Sequence, residues 1–429
     1  MSIAGPSWTA HGPFPNSSPA PAHQSSAWDV LLFGLSVVII LIYSQGWMFP
    51  LFGDKVDEGS SALLRDMYFP AYGVALLIIG ASLKDVFRAM LRQPALILIL
   101  SIVCLSSLWS VAPDQTFRRV IAVTFTTLGG VAIGSRYRWS QMAEVMAVAF
   151  AILVVCSFLV ALFIPSIGRM SALFPGAWRG VWTEKNGLGD NMSLGFIVFA
   201  AAAMLEPRRR RLWAVMAGLA LLLVILSTSK TSLVSVMLGL SAIAFVALVR
   251  RGPIMGVISS YGAVVAIFMV LAVVFFAADV AFAVLGKDAT LTGRTNIWQG
   301  VLYEIHRRPL EGYGYGAVWD DKTGWGPVYW IAKIAGFRPG HAHNSWLEQW
   351  LGMGVFGLGA WAIYFAQTLV LSVVAVYRDK GAYFALPFIL VYGLVSLTES
   401  IAVVYNDFRW VMFVAVAVKL AYSDKAMGR

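Results

Sequence analysis

The chain is a succession of apolar runs separated by short polar or charged breaks, and that repetition limits what it can fold into. The runs cover residues 30–51, 67–83, 94–110, 119–134, 141–165, 188–205 and 212–227, followed by 233–249, 254–279, 346–376, 383–400 and 408–422. About 20 apolar residues carry a helix across a bilayer, and a chain in lipid must satisfy its own backbone hydrogen bonds. The expected fold is an all-α polytopic membrane protein of about 12 transmembrane helices with one large external loop. Only 13% of the 429 residues are charged, against roughly 25% in soluble domains, so there is too little polar surface to clothe a soluble core. The expected organisation is a disordered cytoplasmic tail (1–27), nine helices (28–279), the loop (280–344), three helices (345–422) and a second tail (423–429). The first 27 residues lack Lys, Arg and an apolar stretch, so they read as a tail and not as a signal peptide, and the first span is expected to act as its own uncleaved signal.

Sidedness follows from alternate short loops, because basic residues are held on the cytoplasmic side. Lys84/Arg88/Arg92, Arg136/Arg138, Arg208 to Arg211, Arg250/Arg251, Arg378/Lys380 and the tail with Lys425 and Arg429 form one coherent set. Both termini are then cytoplasmic. The other side also carries Lys55, Arg65, Arg118, Arg119, Arg169, Arg179, Lys185, Lys230, Lys287 and Arg294. Contact with lipid headgroups is one explanation. A phosphate-bearing substrate is the other, and Lys230, in the very short polar turn Ser227-Thr-Ser-Lys-Thr-Ser232, favours it. The excess of 32 Lys and Arg over 22 acids is therefore read as topology and substrate, with no nucleic-acid partner. Cys104 and Cys156 fall inside apolar runs and propose no disulfide framework.

Within the external loop, Thr292-Gly-Arg-Thr-Asn-Ile-Trp298 reads as a helix start, with Thr292 or Thr295 as N-cap. Trp298, Leu302 and Ile305 form its apolar stripe and Pro309 ends it. Arg294 then sits where backbone N–H groups already favour an anion, the alternative being a solvated arginine in a first turn. Glu311-Gly-Tyr-Gly-Tyr-Gly316 follows no strand and reads as a turn bearing two rings, not a nucleotide loop. Trp319, Trp325, Tyr329 and Trp330 suit either sugar stacking or the membrane interface.

Three of the five histidines lie in this loop, two of them in Pro339-Gly-His-Ala-His-Asn344, directly before a span. Imidazole can move a proton near neutral pH. A metal pair is an alternative, with no third ligand placed nearby, and so is a structural pair capping the helix. Thr183-Glu-Lys-Asn-Gly-Leu-Gly-Asp-Asn191 and Ser396-Leu-Thr-Glu-Ser400 add polar clusters on the same side. Lys185, Asp190 and Glu399 are expensive at such depth, which points to function or to an ion pair between helices.

The Ser-Thr-Ser-Lys turn, Thr-Gly-Arg-Thr-Asn-Ile-Trp, Arg-Pro-Leu-Glu-Gly-Tyr-Gly and His-Ala-His-Asn together resemble the O-antigen ligase and Wzy-type polysaccharide polymerase superfamily, over roughly residues 100 to 410. Trp109-Ser-Val-Ala-Pro-Asp-Gln-Thr-Phe-Arg-Arg119, Glu184-Lys-Asn186 and Leu397-Thr-Glu-Ser400 are most similar to its exopolysaccharide-production branch. The resemblance implies a metal-independent, inverting glycosyltransferase of GT-C type that uses an undecaprenyl-diphosphate-linked glycan and no cofactor. It also implies a bacterial inner-membrane location, an active site facing the periplasm and a chain-length co-polymerase as partner. Arg294 matches the family's second basic residue and His343 the histidine that assists the acceptor; Lys230 stands where members commonly have arginine.

The expected mechanism has Lys230 and Arg294, with Lys185 beside them, clamp the donor diphosphate. His343 readies the acceptor hydroxyl with Glu399 or His341 in support, while Asn186, Asp190, Asn344 and Trp298 bind substrate. The rival activities are ligation of the glycan to lipid A core and transport. Transport is disfavoured because the halves show no repeat and the polar residues gather at one face.

Overall fold

A computed structural model describes residues 26–53, 62–171, 174–276, 293–319, 324–424 and 427. Lys55, Lys287, Thr292, Lys425, Arg429, residues 1–25 of the expected tail and residues 280–292 of the expected loop lie outside the described residues. Among the described residues the chain is helical, with a single isolated bridge between Arg169 and Trp178.

Each of the apolar runs contains a helix. In chain order these are α1 (Ala27–Tyr43), α2 (Phe69–Gly80), α3 (Pro94–Leu105), α4 (Pro113–Arg136), α5 (Trp139–Phe163), α6 (Lys185–Leu205) and α7 (Arg210–Leu226). After α8 (Lys230–Val249) and α9 (Pro253–Phe276), the loop supplies α10 (Arg294–Arg307) and α11 (Pro327–Ala335), and the chain closes with α12 (Ser345–Arg378), α13 (Ala382–Ser396) and α14 (Phe408–Ala421). Among the described residues six of these, α4, α5, α6, α8, α9 and α12, are long and apolar enough to cross a bilayer alone. The remaining runs are cut short by their own backbone. The first ends at Tyr43 and turns through Gln45, whose φ is 57°; the second bends by 95° into the short helix Leu83–Met90. The run 383–400 stops being helical at Ser396, which leaves Glu399 in a turn beyond α13.

The basic breaks meet at one end of the bundle. Arg136 at the end of α4 binds Asp29 of α1 (2.8 Å) and Ser82 (2.9 Å). Tyr422 after α14 donates to Asp85 (2.8 Å), and Arg250 after α8 donates to the Asp379 carbonyl (2.9 Å). At the other end, Trp182 donates to the Ser44 carbonyl (3.0 Å) and Tyr72 to Asn406 (2.7 Å). In the middle runs α14, where every residue from Trp410 to Lys419 is buried. By contrast α9 turns many apolar side chains outward, Ile254 being 75% and Phe268 67% exposed. An apolar helix face of that size is stable only against lipid or another protein, which agrees with a membrane protein.

The external loop is a small domain with its own core. Ile297, Val301 and Ile305 of α10 pack with Val328 and Ile331 of α11 and with Leu351 of α12. The buried stripe of α10 is therefore one residue out of step with the expected Trp298, Leu302 and Ile305: Ile305 is buried, Leu302 is 37% exposed and Trp298 lies at the edge. The N-cap also differs from expectation. Gly293, at φ 83°, precedes α10, and Thr295 is inside the helix, because a left-handed residue at that position suits glycine. The glycine–tyrosine stretch is a tight turn as expected, with both tyrosine rings buried. It pairs with a break in α12 through Tyr313 N–H to Leu351 O (3.1 Å), Gly314 N–H to Gly352 O (2.8 Å) and Val355 N–H to Pro309 O (2.9 Å). Gly354, at φ 64° and ψ −162°, makes that break.

Candidate active site

The loop between α11 and α12, the turn after α13 and the start of α10 converge on one carboxylate. Glu399 accepts from Arg294 Nη2 at 2.6 Å and pairs with His343 Nδ1 at 3.1 Å. Arg294 Nη1 donates to the Thr398 carbonyl at 2.6 Å, so its guanidinium grips the turn twice. Its side chain is 17% exposed, which rules out the solvated arginine of the first reading. His343 is held at φ 50°, an uncommon conformation for a residue with a Cβ. Its neighbour His341 accepts from the His343 backbone N–H (3.2 Å), with the two rings 3.9 Å apart.

The electrostatics follow from that packing. Burial of Glu399 favours its neutral form, but the His343 hydrogen bond and the Arg294 charge outweigh it and hold the carboxyl at about 2. Burial, and then the charge of His343, push His341 down to about 3, so His341 is a neutral acceptor across the physiological range. With Glu399 ionised, the pairing fixes the proton of His343 on Nδ1 and leaves Nε2 as the basic nitrogen. An imidazole so oriented can take a proton from a hydroxyl.

Polar groups around it hold this arrangement. Asn344 is the N-cap of α12, accepting from Trp346 N–H (2.9 Å) and Leu347 N–H (3.1 Å) and donating to the Leu397 carbonyl (3.2 Å). The helix is thus capped by the asparagine and not by the histidine pair. Ser345 donates to the Glu399 carbonyl (2.8 Å) and accepts from Ile401 N–H (2.8 Å). Trp298 spends its indole N–H on the Ala342 carbonyl (2.9 Å), holding the histidine loop. Glu348, which sequence reading passed over, accepts from Ala342 N–H (2.6 Å), Trp319 Nε1 (2.9 Å) and Ser400 (3.1 Å). An acidic residue one turn into an apolar span was the signal available for it.

A cavity of about 980 Å³ opens beside these groups. Asn186, Asp190, His341, His343 and Glu399 line it, together with Glu184, Asn191, Trp182, Trp319, Arg338 and an ion pair of Asp407 with Arg409. Neither member of that pair was foreseen. Asp190 is buried on α6 and accepts from Ser232 of α8 (2.7 Å). Arg294, Trp298 and Asn344 are not in the lining and reach it through the groups they bind. Lys185 and Lys230 stand together outside the lining, each within range of the other's charge, where Lys185 donates to Thr228 (3.3 Å) and lies 3.8 Å from the Phe174 ring centroid. The five expected catalytic residues therefore fall into two groups: Arg294, His341, His343 and Glu399 as one, and Lys230 with Lys185 as the other.

The third metal ligand that the sequence did not place is supplied by the fold. Donor atoms of His341, His343 and Glu399 lie within 4.8 Å of one another, although Glu399 is far along the chain. A cation there would have to break the His343–Glu399 hydrogen bond and stand beside the Arg294 guanidinium. The set fits proton handling better than a resident metal.

The O-antigen ligase family matches residues 214–362, a stretch that runs from α7 through α10 and α11 to α12 and contains Lys230, Arg294 and both cavity histidines. The chain is also 30% identical over 268 residues to the exopolysaccharide production protein ExoQ of Rhizobium meliloti (strain 1021). That match spans 59% of this chain and 59% of the relative's own length.

Proposed function

We propose that this chain, which matches the O-antigen ligase family over residues 214–362 and is similar to an exopolysaccharide production protein, polymerises undecaprenyl-diphosphate-linked oligosaccharide repeats into exopolysaccharide. The reaction is an inverting glycosyl transfer of GT-C type at the periplasmic face of the bacterial inner membrane, in a bundle of about twelve spans with both termini inside. One observation carries the reading: Arg294 and His343 meet on a single carboxylate, Glu399, at the edge of a large polar cavity.

In this mechanism the acceptor hydroxyl loses its proton to His343 Nε2 as its oxygen attacks the anomeric carbon of the donor sugar. The bond from that carbon to the diphosphate oxygen breaks, and undecaprenyl diphosphate leaves. Arg294, Lys230 and Lys185 stabilise the charge growing on the leaving group, a role for fixed cations that needs no metal. Glu399 orients His343 and stabilises its protonated form, while His341, kept neutral, supports the loop by accepting the His343 N–H. Lys230 keeps the charge of the family's arginine without its fork, so it acts as a point charge. The lipid tail lies against the bundle, and a chain-length co-polymerase is the expected partner.

Purified protein incubated with lipid-linked repeats and no added metal, read by product length, tests the proposal. Polymer still attached to undecaprenyl diphosphate is the expected product. Single repeats returned unchanged, or moved across vesicles without bond formation, contradict it. The O-antigen ligase match keeps ligation as the second reading, and transfer to lipid A core in place of a second repeat would establish it.

A further inference from the structure

The cavity has a charge pattern of its own, of which the diphosphate mechanism uses only Glu399. Glu184, Asp190, Glu399 and Asp407 line it against the guanidinium groups of Arg179, Arg338 and Arg409. Three of these charges are neutralised by direct partners: Glu399 by Arg294, and Asp407 and Arg409 by each other. Arg179 spends its guanidinium on the backbone carbonyls of Ile167 (2.7 Å) and Ser166 (2.9 Å), closing the chain between α5 and α6. A chamber whose four acids face three guanidinium groups, with amides and indoles among them, offers hydrogen bonds without a strong net field. That suits the hydroxyls of a sugar better than a diphosphate.

Arg409 is held by Asp407 and keeps one guanidinium nitrogen to spare. Its Nε shares the two carboxylate oxygens of Asp407 at 3.0 Å each and its Nη2 donates to one of them, while its Nη1 makes no hydrogen bond among the described residues. Asp407 already caps α14 by accepting from Arg409 N–H (2.7 Å), and that cap needs no guanidinium. On α6, Asn191 is 3% exposed, and its carbonyl oxygen lacks a hydrogen-bond partner among the described residues. A buried polar group is left in that state where water or a ligand completes it. Both residues line the same cavity as His343.

We propose that Arg409, held by Asp407, and Asn191 form the subsite for the acceptor glycan, binding hydroxyls of the sugar whose free alcohol His343 activates. The inference rests on the polymerase reading and adds to it the place where the second substrate sits. Lys185, Lys230 and Arg294 keep the donor diphosphate; Arg409 keeps the acceptor.

The test is tryptophan fluorescence of the purified full chain, since Trp182 and Trp319 line the cavity. The probes are the lipid-free oligosaccharide released by mild acid from the lipid-linked repeat and, separately, undecaprenyl diphosphate. The variant Asp407→Leu with Arg409→Met replaces the ion pair by apolar groups of similar size, a change that buried pairs often tolerate. Arg409→Lys is the milder companion should that variant not fold. Oligosaccharide affinity is expected to fall at least about tenfold in the folded variants, the loss of a charged hydrogen bond, with undecaprenyl diphosphate bound as by the wild type. Unchanged oligosaccharide affinity overturns the proposal, and so does a loss confined to undecaprenyl diphosphate. Saturable oligosaccharide binding by a wild-type protein that forms no glycosidic bond would sink the polymerase reading while leaving the subsite standing.

Discussion

At the scale of single residues the account turns on Glu399, which joins a cation and a base from different parts of the chain. Removing the base, His343→Ala, should lower turnover by about 10²- to 10⁴-fold with the protein still inserted, measured as repeats joined per minute by purified enzyme. Arg294→Lys keeps the charge but loses the two-pronged grip on Thr398 and Glu399, so it should recover little of the activity that Arg294→Ala loses. The two depressed acid constants set the pH dependence of stability. Glu399 stabilises the fold above its ordinary 4.5, and that contribution is lost only as pH falls toward about 2. His341 works at milder acidity: the unfolded chain binds its proton below 6.5, whereas the folded protein resists it down to about 3. Stability should therefore drop as pH falls below 6.5, and His341→Asn should remove that part of the drop, as read from melting of the detergent-solubilised protein. The histidines were legible in sequence because three of five cluster in one loop. Arg409 was not, since it sits in an apolar run where nothing local says what it touches, and Glu348 stood out only as an acid inside such a run, without a sign of its partners.

At the scale of elements, the broken helix α12 aligns the site. A Cβ on Gly354 would lie 1.9 Å from the Leu310 carbonyl oxygen, and one on Gly312 2.6 Å from the Gly354 nitrogen. Two backbones thus touch where the loop domain docks. Gly354→Ala adds that clash to a backbone region that only glycine enters easily, so it should destabilise by at least about 2 kcal/mol and detach the loop, detected as new protease cleavage between α10 and α11. Asn344→Ala removes the cap of α12 and should cost about 1 kcal/mol, with a larger effect on turnover because the same side chain holds Leu397 beside the turn that carries Glu399. The apolar runs announced where helices lie. Their ends were not readable, because contacts distant in sequence hold them: Trp182 holds the Ser44 carbonyl beside Gln45, and Arg136 holds Ser82 at the bend after Gly80. The one-residue error in the stripe of α10 has the same origin: Trp298 is drawn to the Ala342 carbonyl, and Ile297 takes the core position.

At the scale of the whole molecule, the bundle separates a basic end from a polar end, and the second holds the cavity, the histidine loop and the carboxylate. Sequence alone supplied that division, because charge sorting among loops survives any error in counting spans. It could not supply the grouping of Arg294 with Glu399, which depends on a loop domain folding back over the turn after α13. The same grouping makes a prediction about metals. Chelators should leave turnover unchanged, while added zinc should inhibit by capturing His341, His343 and Glu399 and displacing the base from its partner. The central claim is that Arg294 holds the lipid diphosphate while His343 serves the acceptor, and equilibrium binding of undecaprenyl diphosphate to the two alanine variants tests it most directly. The account predicts affinity weakened by about 10- to 100-fold in Arg294→Ala, the worth of a charged hydrogen bond, and unchanged in His343→Ala. Wild-type affinity in Arg294→Ala would contradict it.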